Sequence, residues 1–401
     1  MPLGIYISVP FCRSKCSFCN FASGVFSREK MSRYTERVCG DIAAASSHVR
    51  QIGARLEASA DTLYLGGGTP STLDPILLHE IFRAVRDNFD LRPESEITVE
   101  CAPSTLSSAF IDAMLANGVD RVSLGVQSLI DKEAASVGRL HTRAQVFDDV
   151  TRLRSAGIAN INIDLIAGLP YQTAASWRES LKQVSGLAVP HVSVYILEID
   201  EDSRLGVELI AGGAKYHAHH VPDADLAADL YLEAIEFLND NGTSQYEISN
   251  FARPGWESRH NLKYWTRQPY IGFGLDAHSM LPASTPSEAA SAMRFSTPDE
   301  LETYISGTHE AETISVTRGQ ALEEAMFLGL RLNRGVDPLQ IRRELGIDPL
   351  ETFAAQIAEL TELGLLTQSE GSLRLTAKGR LLSNEVFERF IFERAPEGVS
   401  A

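Results

Sequence analysis

Cys12, Cys16 and Cys19 fall within eight residues of a 401-residue chain that holds only five cysteines. Thiolates are soft metal ligands, and three at this spacing suggest an iron–sulfur site. Three thiolates can hold three irons of a [4Fe–4S] cluster and leave the fourth iron open. An open iron can bind and reduce a ligand, so the arrangement suits chemistry more than passive electron transfer. The competing reading is a zinc knuckle. Zinc asks for a fourth ligand, usually within a second Cys/His pair downstream. None follows at that spacing, and Cys39 and His48 are the nearest candidates. Cys39, in a helical stretch, and Cys101, in a strand-like one, read as buried structural thiols.

The elements that must position such a site alternate along the first half of the chain. Apolar runs at 3–9, 61–66, 96–101, 121–126, 161–166 and 191–197 read as strands. Helical periodicity lies between them, at about 28–58, 75–88, 107–117, 144–157 and 174–187. Strands joined by helical crossovers make a parallel sheet. Right-handed connections curl it into a barrel or a doubly wound layer. In both, ligands gather at the C-terminal ends of the strands. Cys12 follows the first strand and Gly66-Gly67-Gly68-Thr69-Pro70 the second. Glu100 lies in the third, Gln127 follows the fourth and Asp164 lies in the fifth. The expected class is α/β, with one pocket shared by these strand ends. Consecutive glycines would let backbone approach a ligand closely.

Residues 200–225 read as irregular, followed by a helix at about 223–241, a strand at 244–248 and a Gly/Pro-punctuated segment to about 282. His217, His219 and His220 form a histidine-rich patch. It reads as an exposed loop, because no carboxylate or cysteine stands at ligand spacing. Helices at about 317–331, 338–345 and 350–363 precede a hairpin around Glu370-Gly371 and a further helix, a winged-helix-like pattern. Residues 315–401 carry 10 Lys/Arg against 13 Asp/Glu, a net of −3, which argues against a phosphate-binding face. The whole chain carries −17 and repels nucleic acid. No apolar run approaches the ~20 residues of a membrane-spanning helix. Met1–Tyr6 lacks the basic region of a signal peptide, and cluster thiolates need a reducing compartment. A soluble, cytoplasmic protein is expected, with peripheral membrane contact left open.

The C-x3-C-x2-C spacing resembles the signature of radical S-adenosylmethionine (SAM) enzymes, in which the amino and carboxylate groups of SAM fill the open iron site. Gly66–Pro70 resembles the GGGTP motif of the coproporphyrinogen III dehydrogenase (HemN) branch. Tyr6 and Pro10-Phe11-Cys12 resemble that family's Y-x-x-x-P-F-C opening. His260-Asn261-x-x-Tyr264-Trp265 resembles the HNxxYW motif of HemW-type haem chaperones. The likeness extends to the C-terminal module, including Phe327-Leu328-Gly329-Leu330-Arg331.

This resemblance implies a radical SAM partial (β/α) barrel over residues 1–300, with a porphyrin-binding extension at about 223–282. It implies a C-terminal helical, winged-helix-like domain over 301–401. Cys12, Cys16 and Cys19 would ligate the cluster. Tyr6, Phe18, Gly67, Gly68, Thr69, Glu100, Gln127, Arg139 and Asp164 would hold SAM. A carboxylate suits an ammonium or ribose hydroxyls, and Arg139 suits a carboxylate. His260 would bind haem iron, with Tyr264 and Trp265 packing the porphyrin and His278 the next candidate ligand. Phe21 stands where the dehydrogenase branch carries a further cysteine, and that branch's N-terminal extension is missing. Both departures favour the chaperone. Haem would then be bound and passed to an acceptor haemoprotein, a respiratory one being a candidate, with cluster and SAM in support. The alternative is an oxygen-independent coproporphyrinogen III oxidase. Asp276, in Gly272-x-Gly274-x-Asp276-Ala277-His278, stands where the family pattern has a small residue.

Overall fold

The computed structural model describes residues 1–308, 312–369 and 371–392. Six strands lie side by side in chain order and parallel: β1 (Leu3–Val9), β2 (Ser59–Gly67), β3 (Asp90–Cys101), β4 (Arg121–Gln127), β5 (Asn160–Ala167) and β6 (His191–Ile196). The six runs read from sequence are these strands. The largest extensions are in β2, which begins at Ser59, and β3, which reaches back to Asp90 across an irregular register near Ala60. At one end β8 (Asn250–Ala252) pairs antiparallel with β6, and β7 (Ser244–Gln245) pairs antiparallel with β8 at the edge. The expected strand at 244–248 is cut short because the chain turns, with Tyr246 N–H donating to Asn250 O at 3.0 Å.

The Gly/Pro-punctuated segment supplies strands that the sequence did not announce. β9 (Tyr270–Phe273) runs parallel to β1 on its other side. β10 (His278–Pro282), β11 (Ala292–Ser296) and β12 (Thr313–Val316) continue antiparallel, making a sheet of twelve strands. The sheet therefore runs past residue 300, and the separate core of the C-terminal module begins at Leu322. At the β9–β10 turn Asp276 takes a left-handed conformation, φ +53, and donates its N–H to Pro298 O. Asp tolerates this backbone better than most residues.

Helices cover the outer face. The helix Arg28–Gln51 is capped by the Ser27 hydroxyl, which accepts from Lys30 N–H. It stops short of residue 58, at Ile52 and Gly53 (φ +73). Ile5, Ile7, Val9, Leu63, Leu65, Val99, Val122, Leu124, Ile161, Ile163, Val192 and Val194 pack against these helices as one buried core. The C-terminal module adds β13 (Leu366–Ser369) and β14 (Ser372–Leu375) as a hairpin beside short helices. Glu370, at its turn, lies outside the described residues. The expected helix 350–363 breaks at Phe353, a fully buried ring that joins Pro349–Thr352 to Ala354–Glu362. Among the described residues no helix is long and apolar enough to cross a membrane.

Tyr34 fastens the top of β1. Its hydroxyl donates to Ser8 O and accepts from Leu275 N–H at 3.0 Å. Tyr34→Phe removes both bonds in a fully buried place, leaving two backbone groups unpaired. Stability should fall by about 2 kcal/mol, read as a shift in the urea midpoint at unchanged slope.

Candidate functional site

Side chains alternate across a strand with period two, and here the inner face is polar. Tyr6 and Ser8, Thr62 and Tyr64, Glu96, Thr98 and Glu100, Arg121 and Ser123, Asn162 and Asp164, and His191, Ser193 and Tyr195 occupy the alternate positions that the outer core leaves. They bond to one another across strands. Tyr64 OH donates to Glu100 Oε1 at 2.8 Å. Ser123 OH donates to Asp164 Oδ2 at 3.1 Å, and Asn162 Nδ2 donates to Asp164 Oδ1 at 2.7 Å. Asn162 Oδ1 lies 2.6 Å from His191 Nδ1. Of these, the sequence reading singled out Tyr6, Glu100 and Asp164. The missed signal was the unbroken polar alternation through six otherwise apolar strands.

The cysteine loop sits at the C-terminal mouth. Gly68 N–H donates to Val9 O at 2.9 Å, and Thr69 N–H donates to Phe11 O at 2.7 Å. Thr69 Oγ1 then reaches Cys12 Sγ at 3.6 Å. A Cβ on Gly68 would meet Val9 O at 2.7 Å and Phe11 N at 2.9 Å. On Gly66 it would meet the Glu100 carboxyl and Tyr64 at 2.9 Å. Gly67 has φ +97. These glycines are thus required first by the protein's own packing: Gly68 by the loop after β1 and Gly66 by the Glu100 and Tyr64 side chains. Phe18 packs beneath the cysteine loop against Val137, Ile166 and Leu169.

Arg139 faces the same loop. Its Nη1 donates toward Cys16 Sγ at 3.7 Å, its Nη2 donates to Gly125 O, and its buried Nε has no partner. Cys19 Sγ lies 3.9 Å from Ser23 Oγ. Burial pushes the Cys12 thiol up, the neighbouring thiols Cys19 and Cys16 add to this, and the Thr69 and Ser23 hydroxyls pull it back. Gln127 ends β4 with φ +71, next to a slip in the β4–β5 register. A left-handed non-glycine residue costs about 1–2 kcal/mol, and such strain gathers at functional sites. Tyr6, Gly67, Glu100, Gln127, Arg139 and Asp164 each keep part of their surface open. They line a recess in the barrel mouth.

Two carboxylates share that recess. Burial pushes Glu100 up to about 7; Asp164 adds to the rise, while the Tyr64 hydroxyl and the Gly67 N–H oppose it. Asp164 is raised by burial and held back by Ser193, Asn162 and Ser123. Burying like charges together disfavours the ionised forms.

The structure corrects the assignment of His260 as a haem ligand. His260, Tyr264 and Trp265 lie on the helix Arg259–Trp265, which plugs the opposite, N-terminal end of the barrel. Glu96 caps that helix, accepting from Arg259 N–H and His260 N–H at 3.0 Å each. The His260 ring is 1 % exposed. Its Nδ1 is 2.8 Å from Thr62 Oγ1, its Nε2 is 2.8 Å from Tyr264 OH, and Tyr64 stacks on it at 5.1 Å. No ring nitrogen is left for iron. Tyr264 packs edge-on against Tyr270, and Trp265 lies under the Arg331 guanidinium at 4.2 Å. Both rings are half-buried and already packed against protein groups. His278 is exposed, 3.7 Å from Asp276.

Known proteins share this arrangement. Residues 6–184 match the radical SAM superfamily and residues 316–382 the HemN C-terminal domain. The coproporphyrinogen III oxidase HemN of Escherichia coli, a radical SAM enzyme, superposes with a TM-score of 0.81 at 25% identity, covering 97% of this chain and 90% of that one. The fold and the cysteine-bearing mouth thus define a radical SAM protein with a HemN-type C-terminal domain. The heme chaperone HemW of Lactococcus lactis is 31% identical over 98% of both chains. That of Bacillus subtilis is 32% identical over 97% of this chain and 99% of its own. The chain belongs to the HemW family. Superfamily membership implies a [4Fe–4S] cluster and SAM. Three thiols in one loop, hydroxyl donors on two of them and the unpaired Arg139 Nε fit those groups.

Two outcomes follow from the buried titrating groups. Glu100 rises from its ordinary 4.5 to about 7 on folding, so the ionised form opposes folding. The cost is absent below pH 4.5 and fully present above pH 7. Glu100→Gln should therefore stabilise the protein at pH 8, by up to about 3 kcal/mol, and lose this advantage at pH 4.5. Urea denaturation at both pH values checks it. Burial, Lys263 and Arg121 push His260 down to about 3, so the neutral ring supports the fold above pH 6.5 and that support is lost as pH falls toward 3. His260→Ala should lose about 3 kcal/mol at pH 7, from a cavity and orphaned hydrogen bonds. It should also unfold with a shallower acid dependence.

Proposed function

We propose that this protein is a haem chaperone: it binds haem and passes it to an acceptor haemoprotein, with a [4Fe–4S] cluster and SAM seated in the barrel mouth. The observation that carries this is near-full-length identity, at 31% and 32%, with proteins named as heme chaperone HemW. In that role Cys12, Cys16 and Cys19 hold the cluster. When bound, the cluster supplies an open iron for the SAM amino and carboxylate groups, together with a transferable electron. Arg139 presents its unpaired Nε to the SAM carboxylate. Glu100 and Asp164 accept from the ammonium or the ribose hydroxyls. Tyr6 flanks the cluster, Phe18 supports its loop, Gly67, Gly68 and Thr69 fix the loop against the cysteines, and Gln127 edges the recess.

The 0.81 TM-score to an oxidase supports a second reading, coproporphyrinogen III oxidation on the same scaffold. Against it, Phe21 in the cysteine loop is 62% exposed and supplies no thiol. One set of assays separates the readings. Anaerobic reconstitution should give about four iron and four sulfide per chain. The loaded protein should bind haem and release it to an apo-haemoprotein. It should form no protoporphyrinogen IX from coproporphyrinogen III with SAM and reductant; that product would favour the oxidase. SAM affinity should rise as pH climbs from 6 to 7.5, by up to about tenfold per unit below 7. In Glu100→Gln the profile should be flat. A pH-independent wild-type affinity would remove Glu100 from the SAM site.

A further inference from the structure

We propose that the exposed imidazoles of the turn Lys215–His220 supply the axial donor to haem iron at the barrel mouth; this rests on the haem reading above. The turn follows the helix Arg204–Ile210, and both ends of this segment are tied to loops that leave the C-terminal ends of strands. Leu205 N–H donates to Ser17 O at 2.8 Å and Arg204 donates to Lys15 O, both in the cysteine loop. At the other end Tyr171 N–H, from the loop after β5, donates to His220 O at 2.9 Å. The segment therefore bridges the cluster loop and the β5 loop.

His217, His219 and His220 are all exposed. The His219 and His220 rings stand 4.0 Å apart, and His220 lies 4.0 Å from the Tyr171 ring. His217 Nδ1 is 2.9 Å from Tyr171 OH. Tyr216 and His217 both hold left-handed backbone, φ +53 and +60, a strained conformation for side-chain-bearing residues. Among the described residues no three His, Cys, Asp or Glu side chains converge on a single ion, so the turn is not a free-metal site. Haem asks for less: one neutral imidazole per axial position.

The surroundings suit an amphipathic, dianionic macrocycle. Tyr195, Ile196, Ile199, Val207, Ile210 and Tyr216 are exposed on this same end, from 38% to 67%. Apolar side chains concentrated around one recess mark a ligand surface. Two cations flank the histidines for the propionates: Lys132 over the Tyr171 ring at 3.7 Å and Arg204 over Tyr216 at 5.4 Å. The buried His260 offers none of this.

The test is an anaerobic haemin titration of the cluster-loaded protein, read by the Soret band. The triple variant His217→Ala/His219→Ala/His220→Ala should bind haemin at least about tenfold more weakly with a shifted band, and free imidazole should restore the band position. Circular dichroism and iron content check that the surface variant stays folded and loaded. His260→Gln should keep the wild-type band. Wild-type affinity and band position in the triple variant would overturn the site and leave the haem reading standing. Failure of the unaltered protein to bind haemin would overturn both.

Discussion

A polar barrel interior is the constraint on which the rest depends. Every inward side chain of the six parallel strands that carries a donor or acceptor loses water when the sheet curls, and each must find a partner or pull the fold apart. The partners differ at the two ends. At the N-terminal end Glu96 takes the free N–H groups of a helix start, a favourable place for a carboxylate. Thr62 and Tyr64 close on His260. Arg121, 1% exposed, places a cation beside Glu96 and Asp164. The lower half is thus sealed by the protein itself. At the upper end the set is left incomplete: Glu100 is held near neutrality, and Arg139 keeps an unpaired N–H. Arg121 Nε and Thr98 Oγ1 also lack partners, but they are shut inside the barrel, whereas Glu100 and Arg139 keep part of their surface open at the mouth, and that opening is what makes this end a binding site.

The same constraint explains why the glycine run cannot be read as a ligand cradle alone. The loop after β2 must lie on the backbone of the loop after β1 so that Thr69 meets Cys12. That spacing leaves no room for a side chain at Gly68, and the Glu100 and Tyr64 side chains leave none at Gly66. The tightness fixes the cysteine loop from one side, and Arg139 and the helix Arg204–Ile210 hold it from the others. Cluster position, recess and mouth are therefore one mechanical unit.

The C-terminal module is joined to the plug rather than to the mouth. Arg331 covers Trp265 and faces the buried Glu247 at 3.8 Å. Asn333 bonds back to Gln245 O and Tyr246 O. Glu324, nearly buried, pairs with Arg267 and Arg294. The HNxxYW helix is thus held between the barrel floor and the module. The motif's structural role rests on these contacts alone, and the module leaves the mouth uncovered.

Much was determined by local sequence alone. Six apolar runs became the six parallel strands, because a strand with one face on the core writes its period directly into the chain. The cysteine spacing, the glycine run, Glu100 and Asp164 were legible because strand order in an α/β sheet sends every strand end to one side. Three things were decided only in three dimensions. β9 to β12 are short and Pro-punctuated, and they join the sheet only through β9, whose partner β1 lies at the far end of the chain. His260 looked like a ligand, since an exposed and a doubly bonded imidazole have the same letter; its two partners, Thr62 and Tyr264, arrive only when the barrel closes. The 215–220 histidines looked like a loop without purpose. Their standing beside the cluster loop, two cations and an apolar rim comes from a chain path that crosses the mouth, and no spacing along the sequence records that path.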